Sequence, residues 1–396
     1  MHKIEKRENG LENVQGFHCG ATNVGLRPDQ SQGDVAFIYS DTLCDISAVF
    51  TSNTFQAAPI KHFQKYPAGF QSNFVLMNAK NANAMTGAKG VEDIETIMTT
   101  LKTKHAVINP VMSSTGVIGY RLPVEKITSA FDAFDLTSRD SHATASAIMT
   151  TDSFKKEVAY SVTLEDGSSF NIAAICKGAG MINPAMATML CFIVTDADIP
   201  TDEMQGILST SNEASFNRIS VDGDTSTNDT VMLLSNKKSA VYDKEAFAEV
   251  LEKVMFELAM MILKDGEGAS KLVAFEVKGA KNDAEARKAS IALSNSLLVK
   301  TALFGEDPNW GRIASTIGAA GIACDDETLV IHYDDLLIYS DAYRSLDKAR
   351  ETQAYIIMKQ AQFKVTCDLG LGEGAYTSYG CDLSYDYVKI NAEYRT

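Results

Sequence analysis

The sequence contains no apolar run long enough to cross a membrane. Its longest runs, such as Leu258–Leu263, have six residues, whereas a membrane-spanning helix needs about 18 or more. The N-terminal sequence MHKIEKRENG lacks the apolar centre of a signal peptide. The seven cysteines include no CxxC pair, which argues against a disulfide framework or structural zinc. With 36 basic against 51 acidic residues, the net charge of −15 disfavours a nucleic-acid partner. We therefore expect a cytoplasmic protein with no membrane, nucleic-acid or metal partner.

Several common catalytic motifs are also missing. The six histidines form no HExxH motif and no pair at i,i+4 spacing, so a zinc protease is disfavoured. No G-x-S-x-G sequence is present for a Ser-His-Asp hydrolase, and no GxxxxGK[ST] loop is present to bind nucleotide phosphates. The sequence therefore predicts chemistry that does not depend on histidine.

Helical and strand-like segments follow one another without strict βαβ order, which predicts a layered α+β fold. The chain of 396 residues exceeds the about 250–300 that one core organises, so two lobes are expected. The clearest helix is Lys244–Lys264, which Asp243 caps and whose apolar residues recur at helical spacing. Other predicted helices are Val91–Leu101, Asp202–Arg218, Ala284–Lys300 and Asp341–Lys359. The predicted strands are Asp34–Tyr39, Phe74–Met77, Phe170–Ala174, Met189–Thr195, Thr230–Leu234 and Leu329–Tyr333.

The acidic loop Asp222–Asp229 has oxygen-bearing side chains at alternate positions, as a calcium-binding loop does. However, Thr227 stands where such a loop needs glycine, and Leu233 stands where its bidentate glutamate belongs. The sequence therefore favours a tight polar loop whose side chains satisfy its own backbone.

A small-residue loop runs directly into a buried strand at Lys177–Thr195, with Thr188 at the junction. If the bond after Ala187 were cut, Thr188 would gain a free α-amine, whose pKa of about 7.7–8 suits a general base near neutrality. Such an amine activates the neighbouring hydroxyl without a histidine. A threonine that opens a strand is also simply a good strand former, so the segment alone leaves both interpretations open.

The segment Lys177–Leu190 resembles the self-cleavage motif of the ornithine acetyltransferases, also called glutamate N-acetyltransferases, which act in arginine biosynthesis. The resemblance extends from Gly16–Gly20 to the C-terminus. Further blocks that resemble this family are Asn81–Ala84, Ser114–Gly119, Met149–Asp152, Val221–Thr230, Asp265–Ala269, Asp307–Arg312 and Ser384–Val388.

The resemblance implies a role for each matching residue. Thr188 would be the nucleophile, freed by cleavage after Ala187, and Thr115 and Gly116 would form the oxyanion hole. The substrate-binding positions implied in the same way are Thr150, Lys177, Thr188, Glu267, Asn391 and Thr396. The sequence departs from its relatives at Ala179, Asn183 and Ala185, where they commonly carry serine, histidine and asparagine.

The implied fold is two mixed α/β lobes that form an αββα sandwich. The implied domains are an α chain of residues 1–187 and a β chain of residues 188–396, which are expected to stay together as an α2β2 heterotetramer. The implied reaction is ping-pong transfer of acetyl from N2-acetylornithine to glutamate, with no bound cofactor. Bifunctional relatives also accept acetyl-CoA, and the sequence leaves that open. Two alternatives also stay open: a self-processing aminopeptidase or amidase of the same fold, and an unprocessed, non-catalytic paralogue.

Overall fold

The computed structural model describes residues 2–28, 32–183 and 189–393. Within these ranges the strands form two sheets, of nine and six strands. The first sheet contains β1 (Lys3–Arg7), β2 (Phe17–Thr22), β3 (Val35–Phe50), β4 (Gln71–Asn78), β5 (Val111–Ser114), β6 (Lys156–Thr163), β7 (Ser169–Lys177), β8 (Leu190–Thr195) and β10 (Thr230–Ser235). The second contains β9 (Ile219–Ser220), β11 (Leu272–Ala280), β12 (Val330–Tyr333), β13 (Leu336–Tyr339), β14 (Gln362–Asp368) and β15 (Gly374–Cys381). The α-helices are α1 (Ala58–Phe63), α2 (Gly87–Lys104), α3 (Val124–Ser129), α4 (Ser141–Ala147), α5 (Thr201–Ala214), α6 (Lys244–Lys264), α7 (Asp283–Asn295), α8 (Leu297–Phe304), α9 (Trp310–Gly318), α10 (Lys348–Met358) and α11 (Tyr385–Glu393).

The first sheet folds over on itself and encloses a core between its two halves. The long strand β3 belongs to both halves, because its beginning pairs with β2 and β4 and its end pairs with β10. Strand side chains alternate between faces, so every second residue points into this shared core. Val75 and Met77 do so from β4, and Phe192 and Val194 do so from β8. The 3₁₀ helix Leu11–Asn13 and α4 contact both halves and close the core at its side.

Helices cover the two outer faces of the folded sheet. Helices α5 and α6 pack against β6, β7, β8 and β10, where the other set of alternating residues, such as Cys191 and Ile193, is buried. Helices α2 and α3 pack against the opposite half, over Phe37, Phe74 and Leu76. The layers are therefore helices, strands, strands and helices. This order confirms the predicted α+β class and its αββα sandwich.

The second sheet forms a smaller lobe with helices on one face. Val273, Phe275 and Val277 of β11 point towards α7, α8, α9 and α10, and this layer buries its own apolar core. The chain enters this lobe briefly at β9, returns to the first sheet at β10, and enters the lobe again where α6 leads into β11. The chain thus contains the two lobes that its length predicts.

The strongest helix prediction is confirmed, and others are corrected by a break inside the predicted helix or at one of its ends. Helix α6 has the predicted bounds, and Asp243 caps it by accepting a hydrogen bond from the Ala246 amide. The helix predicted at Ala284–Lys300 is two helices, because Ser296 adopts extended backbone angles and caps α8 through Val299. The helix predicted from Asp341 begins only at Lys348, where Asp347 supplies the cap. Periodicity alone located the helices but missed these caps.

The structure bears on three further sequence predictions. None of the helices in the described ranges has the length and apolarity to cross a membrane. All seven cysteines are free thiols, and six of them are buried. The predicted division at residues 187 and 188 falls between β7 and β8, which pair antiparallel through six residue pairs. It stays a prediction, because Ala187 and Thr188 lie outside the described residues.

Candidate active site

A cleft near the ends of β5 and β7 brings together six of the predicted site residues. They come from five separate stretches of chain and share this cleft with Thr151, Gly180 and Met181. The six are Thr115, Gly116, Thr150, Lys177, Glu267 and Asn391. The other predicted residues, Ala187, Thr188 and Thr396, lie outside the described residues. The cavity measures about 120 Å³. Pockets for drug-sized ligands measure about 300–1,000 Å³, so an amino-acid-sized group fits this cleft better than a larger one.

The main chain at Gly116 can adopt its conformation only because the residue is glycine. Its φ of 133° lies in a region that side chains disfavour. A Cβ atom there would lie 2.1 Å from the Lys80 carbonyl carbon and 2.4 Å from the Asn81 nitrogen. Within the described part of the chain, neither the Gly116 amide nor the Thr115 hydroxyl donates to an acceptor. Both residues line the cleft, and donors without a protein acceptor are what an oxyanion hole needs.

Lys177 lies at the end of β7, almost completely buried, and its charge acts on a buried carboxylate behind the cleft. That carboxylate is Asp152, which accepts hydrogen bonds from the Gly178 amide (2.7 Å) and the Thr150 amide (2.9 Å). Burial alone would raise the pKa of Asp152, but the ammonium groups of Lys177 and Lys156 outweigh it and lower the pKa to about 2. Asp152 therefore stays ionised and fixes two stretches of main chain that line the cleft.

A second buried carboxylate completes this group of charges. The Lys156 ammonium donates to Asp152 (2.8 Å) and to Asp265, and all three side chains are at most 1% exposed. Asp265 also accepts hydrogen bonds from the Ser153 amide and hydroxyl. Burial would lower the pKa of Lys156, but the two carboxylates outweigh it and raise the pKa. Sequence reasoning did not identify this cluster, although Asp152 and Asp265 both lie within blocks that resemble the family.

Glu267 approaches the cleft from the end of α6. Its amide donates to the Ala179 carbonyl (2.9 Å), and its carboxylate accepts a hydrogen bond from the Asn391 side chain (2.6 Å). A Cβ atom on Gly180 would lie 2.5 Å from the Glu267 carboxylate, so the glycine leaves room for that side chain. The cleft thus presents one cation and one anion, which is the pair that a zwitterionic amino acid needs.

The acidic loop Asp222–Asp229 forms hydrogen bonds with other parts of the chain as well as within itself. Within the loop, the Asn228 amide donates to Ser226 (3.1 Å), as the sequence predicts. The carboxyl groups of Asp222 and Asp229, however, also accept from the main chain on either side of residues 184–188. Over the described ranges, no group of three or more His, Cys, Asp or Glu side chains is arranged to hold a metal ion.

Comparison with known proteins identifies the family. Residues 18–396 match the ArgJ family. This chain belongs to the ArgJ family. The arginine biosynthesis bifunctional protein ArgJ of Wolinella succinogenes is 57% identical over 96% of each chain. The glutamate N-acetyltransferase of Methanopyrus kandleri is 39% identical over 91% of this chain and 95% of its own. A crystal structure of ArgJ from Bacillus halodurans is 38% identical, with a TM-score of 0.48, and covers 51% of this chain and 98% of its own. The family predicted from Lys177–Leu190 is therefore confirmed.

Proposed function

We propose that this ArgJ-family protein transfers the acetyl group of N2-acetylornithine to glutamate through an ester on Thr188. Membership of the family makes the chain an acetyltransferase of arginine biosynthesis. The observation that carries the mechanism is the meeting of Thr115, Gly116, Lys177 and Glu267 in one amino-acid-sized cleft. The nucleophile, the products and the order of the steps are proposed on this basis.

The proposed mechanism begins with self-cleavage. The Thr188 hydroxyl attacks the Ala187 carbonyl, the peptide bond to Thr188 breaks, and water hydrolyses the resulting ester. The released α-amine then serves as general base for the same hydroxyl. We further propose that the α chain (1–187) and the β chain (188–396) remain associated as α2β2 in the cytoplasm.

Acetyl transfer follows in two half-reactions. The Thr188 oxygen attacks the acetyl carbonyl of N2-acetylornithine, ornithine leaves, and glutamate then attacks the acetyl ester. Thr115 and Gly116 would stabilise the oxyanion in both steps. Lys177 would bind a substrate carboxylate, and Glu267 with Asn391 would bind an amine; Thr150 and Thr396 would complete the substrate site. No bound cofactor is required, and acetyl-CoA is proposed as an additional acetyl donor.

The experiment that tests this proposal compares Thr188→Ala with Thr188→Ser. Mass spectrometry should find the wild type and the serine variant as two fragments that divide after residue 187, and the alanine variant as one chain. Only the cleaved proteins should form N-acetylglutamate from N2-acetylornithine and glutamate. An intact chain that forms N-acetylglutamate would refute the nucleophile. Release of free acetate instead would favour a hydrolase, and an uncleaved, inactive wild type would favour the non-catalytic paralogue.

A further inference from the structure

The loop Asp222–Asp229 holds the main chain just before the predicted cleavage site. Asp222 accepts hydrogen bonds from two successive amides, Met181 to Oδ2 at 2.6 Å and Ile182 to Oδ1 at 2.9 Å. The Ile182 carbonyl in turn accepts from the Val221 amide (2.9 Å) and from the Ser220 hydroxyl (3.2 Å). Residues 181 and 182 are therefore bonded through both their amides to Asp222, and through the Ile182 carbonyl to the two residues just before the loop.

The same loop holds the main chain just after the site. Asp229 Oδ1 accepts a hydrogen bond from the Met189 amide at 3.1 Å, and the Met189 carbonyl accepts from the Thr230 amide at 3.1 Å. Asp229 is completely buried, and no donor from the described residues bonds to its second oxygen, Oδ2. The other oxygen, Oδ1, therefore holds the amide that lies just before the strand that begins at Leu190.

The loop is also joined to the strand that precedes the oxyanion donors. The Asn228 side-chain amide donates to the Ser114 carbonyl (2.9 Å) and to the Ala82 carbonyl (2.7 Å), and Asn228 is buried. One short loop therefore bonds to the chain before the site, to the chain after it, and to the residue that precedes Thr115. It fixes the relative positions of the three segments that self-cleavage must bring together.

We propose that Asp222 and Asp229 are positioning residues for self-cleavage, which hold the backbone on the two sides of the Ala187–Thr188 bond. The inference rests on the proposed self-cleavage. In that step the Thr188 Oγ–carbonyl carbon bond forms, the carbon–nitrogen bond breaks, and the hydroxyl proton ends on the new α-amine. Fixing both ends of the intervening segment reduces the number of conformations that compete with the attacking geometry. After cleavage, the Asp229 carboxyl group would still hold the Met189 amide, and so the start of β8, while Thr188 acts as nucleophile.

The experiment follows cleavage in freshly translated full-length chains of Asp222→Ala and Asp229→Ala. Gel electrophoresis gives the rate at which each precursor divides, and circular dichroism with limited proteolysis identifies the folded variants. We expect each alanine variant to cleave about 100-fold more slowly than wild type, as displacement of reacting groups by about 1 Å does. Asp224→Ala is the matched control, because Asp224 is an exposed acid of the same loop and should cleave normally. Folded alanine variants that cleave at the wild-type rate would overturn the proposal.

Two further measurements separate positioning from a general loss of structure. Asp222→Asn keeps one acceptor and loses the other, so it should lie between alanine and wild type, about tenfold slower than wild type. If the alanine variants do not fold, a folded asparagine variant with the wild-type rate overturns the proposal instead. Hydroxylamine, which cleaves esters, should not restore rapid cleavage of the slow variants, because their defect lies in the step that forms the ester. Rapid cleavage in hydroxylamine would contradict the proposal. A wild type that does not divide, or a Thr188→Ala variant that does, would refute self-cleavage itself rather than this inference.

Discussion

Replacing Lys156 by methionine should destabilise the first lobe severely. Methionine preserves most of the side-chain volume, so the change removes the charge without a large cavity. Asp152 and Asp265 would then face each other, buried, without the ammonium group that both contact. Removing one partner of a buried ion pair costs about 3–5 kcal/mol, and this residue is the shared partner of two. We therefore expect the free energy of unfolding to fall by about 3–5 kcal/mol.

Urea unfolding at neutral pH, followed by far-ultraviolet circular dichroism, measures this loss. Lys104→Met is the matched control: Lys104 pairs with Asp132 at 2.7 Å, but both side chains are largely exposed. Exposed pairs contribute little, so this control should remain close to wild type. Adding Asp265→Asn to Lys156→Met should recover part of the loss, because one of the two carboxylates that have lost the Lys156 ammonium is then replaced by a neutral side chain. A Lys156→Met protein within about 1 kcal/mol of wild type, or a double variant that loses the sum of both changes, would refute the reasoning.

Three further predictions concern the cleft. Gly116→Ala should lower kcat about 100-fold or more, because the new Cβ would lie 2.1 Å from the Lys80 main chain and would displace an oxyanion donor. Gly119→Ala is the control, because Gly119 also has a positive φ but no atom lies near its Cβ position. Lys177→Met should raise KM for glutamate about 10- to 100-fold with a smaller change in kcat, and an unchanged KM in substrate-saturation assays would contradict the assignment. Asp152→Asn should be less stable than wild type at neutral pH, and the difference should shrink as pH falls from about 4 to about 2. The pKa of Asp152 is lowered from 3.8 to about 2, so its ionisation contributes about 2 kcal/mol to the free energy of unfolding above that pH range and nothing below it. A stability difference between wild type and variant that stays constant through an acid titration would disprove this.

Much of the fold follows from local pattern. The amphipathic repeat and acidic cap of Lys244–Lys264 determine α6 with its bounds. All six residues of β8 are buried, because the strand has a core on each face, and the apolar run Leu190–Val194 also indicates such a strand. The folding of the first sheet over itself depends on β3, whose two ends pair with different strands. Such long-range pairing leaves no mark in a local window, so only the family resemblance predicted the sandwich.

The site was predictable only in part for the same reason. Thr115, Lys177 and Glu267 were identified because they lie in blocks that resemble a family, and no spacing rule connects them. The Lys156–Asp265 contact joins residues 109 positions apart, and its importance comes from burial, which the sequence does not display. The loop Asp222–Asp229 has the composition of a self-satisfied turn, and its outward bonds to Met181, Ile182 and Met189 appear only in three dimensions.

The position of the predicted cut explains how such a protein could be divided without being unfolded. The cut lies in the connection between β7 and β8, so it interrupts neither strand, and the six residue pairs that join them remain. Strand β8 also pairs in parallel with β10, and residues from both sides of the cut, such as Ile175 and Phe192, share one core. Separating the fragments would expose that core to water, at about 25 cal/mol for each Å² of apolar surface. The hydrogen bonds that Asp222 and Asp229 accept from Met181, Ile182 and Met189 would also remain on both sides of the break. The cut would then change the chemistry of one residue while the packing around it persists.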